Sequence, residues 1–318
     1  MPQRSQAARI KPPALRAGDT IGIVAPASSF DRDDFEAGCE ALRKLGYQIV
    51  YDESIFSHDL YFAGSAERRA RELEQMFLRD DVKAIVCARG GYGANYLLPR
   101  LAVENIAAHP KIFVGYSDLT SLLTYLCDAA HCVMFHGPMV AKDFAKSDGV
   151  DFASWQSALS GQPDWGLAFD NTSGVESLVQ GAAEGLLYGG CLSMLVASLG
   201  TPYEIRTGGT VLFIEDIGAR PYQIDRMLMQ LKLAGKFAGV KAIIFGEMLD
   251  CVQSPTQPYS LQEVVMRIVG DLGIPVAYGV RSGHVSRHNI TLPIGVQVRV
   301  EIGSSGLNVE FLEPATAV

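Results

Sequence analysis

Short apolar runs alternate with longer amphipathic ones through the first 150 residues. Thr20-Ile21-Gly22-Ile23-Val24-Ala25-Pro26 is apolar and closed by a helix breaker, so it predicts a buried strand. Asp31 is placed to cap a helix that runs to Leu45 and stops at Gly46. Tyr47 to Tyr51 predicts a second strand, and Ser65 with Glu67 and Arg68 opens a second helix. The apolar face of that helix carries Ala70, Leu73, Met76 and Phe77. Lys83–Ala88 and Ile112–Gly115 predict further strands, and Leu119 to Cys127 a further helix. Strands and helices alternating at these lengths imply a mainly parallel sheet covered on both faces. Three strand ends are rich in small or polar residues: Pro26-Ala27-Ser28-Ser29, Arg89-Gly90-Gly91-Tyr92-Gly93 and Gly115-Tyr116-Ser117-Asp118. Sites in such sheets lie at the carboxyl ends of the strands, so these three should converge on one crevice.

Residues 151–175 lack clear periodicity and predict a crossing between domains. After it, Thr210-Val211-Leu212-Phe213-Ile214 is a strand that ends in Glu215-Asp216-Ile217-Gly218. Pro221–Leu233 is helical, with Ile224, Met227, Leu228 and Leu231 on one face. Lys241–Gly246 predicts a strand and Leu261–Val269 a helix, followed by Val276-Ala277-Tyr278-Gly279-Val280-Arg281-Ser282-Gly283-His284. Val296–Ile302 and Leu307–Leu312 alternate around Ser304-Ser305-Gly306 and predict a hairpin. The expected organisation is an N-terminal domain over 1–150, a linker over 151–175 and a C-terminal domain over 176–318.

Composition narrows the class. The chain has 318 residues, 48% hydrophobic and 19% charged, which suits a packed two-domain protein. A net charge of −8 with no basic run argues against a nucleic-acid partner. No apolar stretch reaches the roughly 18 residues of a membrane helix, so no membrane partner is expected. Residues 1–17 carry Arg4, Arg9, Lys11 and Arg16 with no apolar core between them, unlike a secretory signal. The six cysteines form no Cys-x-x-Cys pair and predict reduced core thiols in a cytoplasmic protein.

The candidate chemistry sits at strand ends. Ser117 follows a strand and precedes a helix, where free amides suit a developing oxyanion. The Gly-x-Ser-x-Gly elbow is incomplete, since Leu119 occupies its last position. An ordinary helix cap is the other reading of Ser117. Glu215 closes an apolar strand and needs donors or a cation, with Arg220 and Arg226 near in sequence. His284 lies in a glycine-punctuated loop. The spacing of His284 and His288 would suit a metal pair on a helix, but Gly283 and the run to Pro293 argue against one. The Gly90-Gly91 pair lacks the phosphate-loop and Rossmann patterns and fits an oxyanion donor better. Ser117, Glu215 and His284 stand in one of the chain orders in which nucleophile, acid and base recur.

These motifs together resemble the LD-carboxypeptidase family of serine peptidases, which also holds the microcin immunity proteins. The resemblance spans nearly the whole chain. It rests on Ala25-Pro26-Ala27-Ser28, Ala88-Arg89-Gly90-Gly91-Tyr92-Gly93, Gly115-Tyr116-Ser117-Asp118-Leu119-Thr120 and Phe135-His136-Gly137-Pro138-Met139. Gly189-Gly190-Cys191-Leu192-Ser193, Ile214-Glu215-Asp216-Ile217-Gly218, Tyr222-Gln223-Ile224-Asp225-Arg226 and Ser282-Gly283-His284 continue it. Cys191 departs from the pattern, since many relatives have Asn after the glycine pair.

The resemblance implies an α/β fold, with a flavodoxin-like parallel-sheet N-terminal domain and a smaller β-barrel-like C-terminal α/β domain. It implies Ser117 as nucleophile, His284 as base and Glu215 as the carboxylate that orients it. The oxyanion amides would be those of Asp118 and Gly91, and Arg89 or Arg220 would anchor the substrate carboxylate. The implied reaction removes D-alanine from a cell-wall tetrapeptide in peptidoglycan recycling, by a cytoplasmic homodimer that needs no metal or cofactor. The alternatives are a peptidase of peptidyl-nucleotide amides, with Trp155 and Trp165 as a wall for the base, and a non-catalytic muropeptide-binding module.

Overall fold

The computed structural model describes residues 8–170, 172–252 and 258–318. Residues 1–7, with Arg4 of the basic stretch, lie outside the described residues. The chain forms two compact units, and the second is entered and left more than once. One unit holds Ala8–Gln162, Arg287–Gly295 and Pro314–Val318. The other holds Pro163–Ser286 and Val296–Glu313.

The first unit begins with β1 (Thr20–Val24), α1 (Arg32–Lys44), β2 (Gln48–Val50), α2 (Ala66–Leu78) and β3 (Val82–Cys87). It continues with α3 (Val103–Ala108), β4 (Ile112–Gly115), α4 (Thr120–Ala129), β5 (Met134–His136) and α5 (Phe152–Leu159). Asp31 caps α1 by accepting from the amides of Asp33 and Asp34, and Ser65 caps α2 by accepting from that of Arg68. Strands β2, β1, β3, β4 and β5 lie side by side in that order and are parallel. This is the flavodoxin-like order, with its switch point between β1 and β3. Val24 pairs with Cys87, and Val86 with Val114, so β1, β3 and β4 end side by side. Every residue of β4 is buried, which fixes the strand leading into Ser117 in the core.

The second unit contributes β6 (Trp165–Asp170), β7 (Glu176–Val179), β8 (Gly181–Cys191), α6 (Leu192–Ala197), β9 (Thr210–Glu215) and α7 (Pro221–Leu233). Then come β10 (Ala242–Gly246), α8 (Leu261–Val269) and β11 (Val276–Val280). The next strand, β12 (Leu292–Ile294), pairs antiparallel with β5 and so extends the sheet of the first unit. The hairpin of β13 (Gln297–Gly303) and β14 (Gly306–Phe311) belongs to the second. That unit's sheet has eight strands in the order β6-β14-β13-β8-β9-β10-β11-β7, with a parallel core of β8, β9, β10 and β11. It curls like an incomplete barrel: the Ser177 hydroxyl on edge strand β7 donates to the Gly303 carbonyl at the end of β13.

One stretch differs from its sequence reading, and one strand has no counterpart in it. Residues 151–175 carry α5 and β6 rather than a bare crossing, because Asp151 caps a short helix and Trp165 stacks on Phe311 at 3.9 Å. Gly181–Cys191 is one long strand, since its glycines take positive φ at 181, 189 and 190 without breaking the ladder.

Candidate active site

In the first unit, β4 delivers Ser117 into a 3-10 turn that runs into α4. Ser117 has φ of 64°, a left-handed conformation costing about 1 to 3 kcal/mol in a residue with a Cβ. An N-cap takes extended φ instead, and neither helix start in this turn has a side-chain cap, so the cap reading fails. Such strain at a strand-to-helix turn is what lifts a serine hydroxyl out of a sheet. The incomplete elbow is accommodated by Gly115, against which Leu119 packs; a Cβ at Gly115 would stand 3.2 Å from that of Leu119.

The other two strand ends close around this turn. Gly90 packs directly on the serine, where an added Cβ would come within 2.9 Å of the Ser117 Cβ. Its carbonyl accepts from the Ser28 amide at 3.2 Å, and the Ser28 hydroxyl accepts from the Tyr92 amide at 3.1 Å. Gly91 has φ of 105°, and a Cβ there would lie 2.4 Å from Ser28 Oγ. Only glycine fits that clasp, which leaves the Gly91 backbone open to a substrate atom.

Two buried charges hold the glycine loop from behind. Asp118 Oδ2 accepts from the Ala94 amide at 2.7 Å. Burial pushes its carboxyl up to about 6, against the lowering effect of that amide and of the Arg69 charge. The Arg69 guanidinium donates to the carbonyls of Pro26 at 2.5 Å, Gly93 at 2.9 Å and Gly64 at 3.1 Å. One side chain thus ties the loops after β1 and β3 together. Sequence reading placed Ser28 at a converging strand end without a role and passed over Arg69. Arg69 does share the helical face of Leu73 and Met76, the i, i+4, i+7 stripe that marks a buried position.

In the second unit, β9 ends on Glu215, which is wholly buried. Its Oε2 accepts from His284 twice, from ring Nδ1 at 2.7 Å and from the backbone amide at 3.0 Å. A carboxylate at Nδ1 fixes the ring proton there and leaves the lone pair on Nε2. Gly246 makes room for this, because a Cβ on it would fall 2.6 Å from that of Glu215. The expected arginine partners do not serve: Arg220 is exposed at the start of α7, and Arg226 lies over the Tyr222 ring at 5.5 Å. Cys191, paired with Glu215 across β8 and β9, puts its Sγ 3.2 Å from Ser193 Oγ. Burial holds that thiol well above its ordinary range, helped by Glu215 and Asp216.

The structure therefore joins Glu215 to His284, and Ser117 to Gly90, Gly91, Ser28 and Asp118. Ser117 belongs to one compact unit and the Glu215–His284 pair to the other. Arg89 donates to the Ser29 carbonyl at 3.2 Å on the rim of the glycine loop. His284 and His288 share no helix, so the spacing of a helical metal pair is not realised. Trp155 packs edge-on against Phe144 and is buried, as is Trp165, so neither forms an exposed aromatic wall. Among the described residues, no helix is long and apolar enough to cross a membrane.

Family models of the LD-carboxypeptidase N-terminal and C-terminal domains match residues 21–137 and 184–300. The chain belongs to the LD-carboxypeptidase family. A Bacillus subtilis relative named "Probable murein peptide carboxypeptidase" is 39% identical, over 90% of this chain and 90% of its own. The chain is also similar to the microcin C7 self-immunity protein MccF of Escherichia coli, 29% identical over 93% of this chain and 94% of its own. A structure of MccF with aspartyl sulfamoyl adenosine, 25% identical, matches with a TM-score of 0.89 and covers 97% of this chain and 100% of that one. The muramoyltetrapeptide carboxypeptidase of Oxalobacter formigenes, 28% identical, has a TM-score of 0.82 and covers 93% of this chain and 99% of that one.

Proposed function

We propose that this protein is a serine LD-carboxypeptidase that removes the terminal D-alanine from cell-wall tetrapeptides, the step expected in peptidoglycan recycling. The observation that carries the proposal is the Glu215–His284 pair, in a family member whose Ser117 sits on a strained strand-to-helix turn. Nε2 of His284 takes the Ser117 proton as Oγ attacks the carbonyl that precedes D-alanine. The resulting oxyanion is met by the backbone amides of Gly91 and Asp118. Imidazolium then protonates the departing D-alanine amine, and water, deprotonated by the same ring, releases the acyl group. Glu215 stays ionised and keeps Nδ1–H in place throughout. Arg89 and Arg220 are the proposed anchors for the free carboxylate of the substrate.

Incubation with a meso-diaminopimelate tetrapeptide, followed by mass spectrometry, tests the reading. Wild type should release D-alanine and Ser117→Ala should not. Release by neither would remove the substrate assignment. The similarity to MccF supports a second reading, cleavage of a peptidyl-nucleotide amide, and turnover of an aspartyl-adenylate analogue in place of the tetrapeptide would favour it.

A further inference from the structure

One cluster in the second unit has a donor set that the proposed hydrolysis does not use in full. Cys191 Sγ, a carboxylate oxygen of Glu215 and a ring nitrogen of His284 all lie within 4.8 Å of one another, and all three residues are buried. Sulfur, imidazole nitrogen and carboxylate oxygen are the three donor types of protein zinc sites, where three protein ligands leave a fourth position for water. Asp216 adds a second carboxylate next to Glu215, its oxygens held by the amides of Ser193 at 2.8 Å and Ile217 at 2.8 Å. The pocket around the thiol is thus electronegative and favours a divalent cation over an anion. Zinc–ligand bonds of about 2.0 to 2.3 Å put tetrahedral donors about 3.3 to 3.8 Å apart, so occupancy requires Nδ1 and the Glu215 oxygen to part from their 2.7 Å contact and any donor beyond that span to draw in.

We propose that Cys191, Glu215 and His284 form a binding site for a thiophilic divalent cation such as Zn²⁺, and that occupancy switches the enzyme off. The ring nitrogen that faces Glu215 is Nδ1, so the cation takes the place of the bridging proton. Three bonds form, to Sγ, Nδ1 and a Glu215 oxygen. The thiol proton leaves to solvent, and the proton displaced from Nδ1 is taken up at Nε2. No group is oxidised or reduced. An Nε2 that carries a proton cannot accept one from Ser117. The binding site stands on the cluster alone, whereas the inhibition rests on the proposed role of His284 as base.

Two readouts separate those claims. Metal-free protein titrated with CoCl₂ should develop a thiolate-to-cobalt charge-transfer band that Zn²⁺ abolishes by competition. Cys191→Ser should lose the band, and His284→Gln should keep it but bind cobalt at least about tenfold more weakly. In the tetrapeptide assay, micromolar Zn²⁺ should inhibit wild type, EDTA should restore it, and Cys191→Ser should need at least about tenfold more zinc, each protein normalised to its own rate in EDTA. No cobalt band in wild type, or an unchanged band in Cys191→Ser, would overturn the site. Equal zinc inhibition of both proteins would overturn the switch. If wild type in EDTA releases no D-alanine, the enzymatic reading fails, and the cobalt spectra still decide the site. Should Cys191→Ser not fold, the His284→Gln titration serves in its place.

Discussion

In the unit built on β1–β5 the candidate chemistry is carried by backbone: a strained φ at Ser117, the Gly90–Gly91 pair, and amides aimed by the turn. In the unit built on the eight-stranded sheet it is carried by side chains, one buried carboxylate accepting twice from one histidine. Backbone devices tolerate changes of neighbouring side chains but not an added Cβ or a relaxed dihedral. Side-chain devices tolerate little change of charge or donor pattern, because a buried carboxylate that loses its donor bears its full desolvation cost. The two halves should therefore break in different ways.

The largest effect is expected at Ser117. Both Ser117→Ala and Ser117→Gly should reduce D-alanine release by at least about 10⁴-fold. Only the glycine variant relieves the left-handed φ, so it should be about 1 kcal/mol more stable than the alanine variant in denaturant melts. Equal midpoints would show that the turn stores no strain. Glu215→Gln comes next, with kcat reduced about 10³- to 10⁴-fold because Nδ1–H is no longer held by a charge. A loss under tenfold would mean that the pair does not orient the base. For Gly91→Ala, kcat should fall about 10²-fold with KM little changed, as one oxyanion donor is displaced by the clash with Ser28. A change confined to KM would assign the glycine loop to binding rather than to charge stabilisation.

The smallest effect concerns pH and stability. The Asp118 carboxyl is raised from 3.8 to about 6 in the folded state, so its contribution is fully present below 3.8 and is lost as pH rises through about 6. Asparagine does not titrate. The stability of Asp118→Asn relative to wild type should therefore grow between pH 4 and pH 7.5, by about 2 kcal/mol. Denaturant titrations at the two pH values would measure it, and a constant difference would show that burial does not disfavour the charged form.

Much of this was legible in the chain. The caps at Asp31 and Ser65, the ends of α7 and α8, and the three carboxyl-end loops follow from local rules of capping, period and turn chemistry, which neighbouring residues alone satisfy. β6 and β7 were not legible, because their ladders form with strands about a hundred residues or more away in sequence. The helical stripe marks Arg69 as buried, but only the fold shows the three carbonyls it holds.

By itself the sequence determined the alternation of strand and helix, the parallel character of the first sheet, and the residue types able to act as nucleophile, base and acid. Tertiary structure decided what those residues are. It held Ser117 at a φ that no local preference favours, chose His284 over two nearer arginines as the partner of Glu215, and set a thiol beside that pair. The reason is physical: periodicity and capping act over a few residues, whereas burial, strain and charge pairing are fixed only when distant strands bring their ends together.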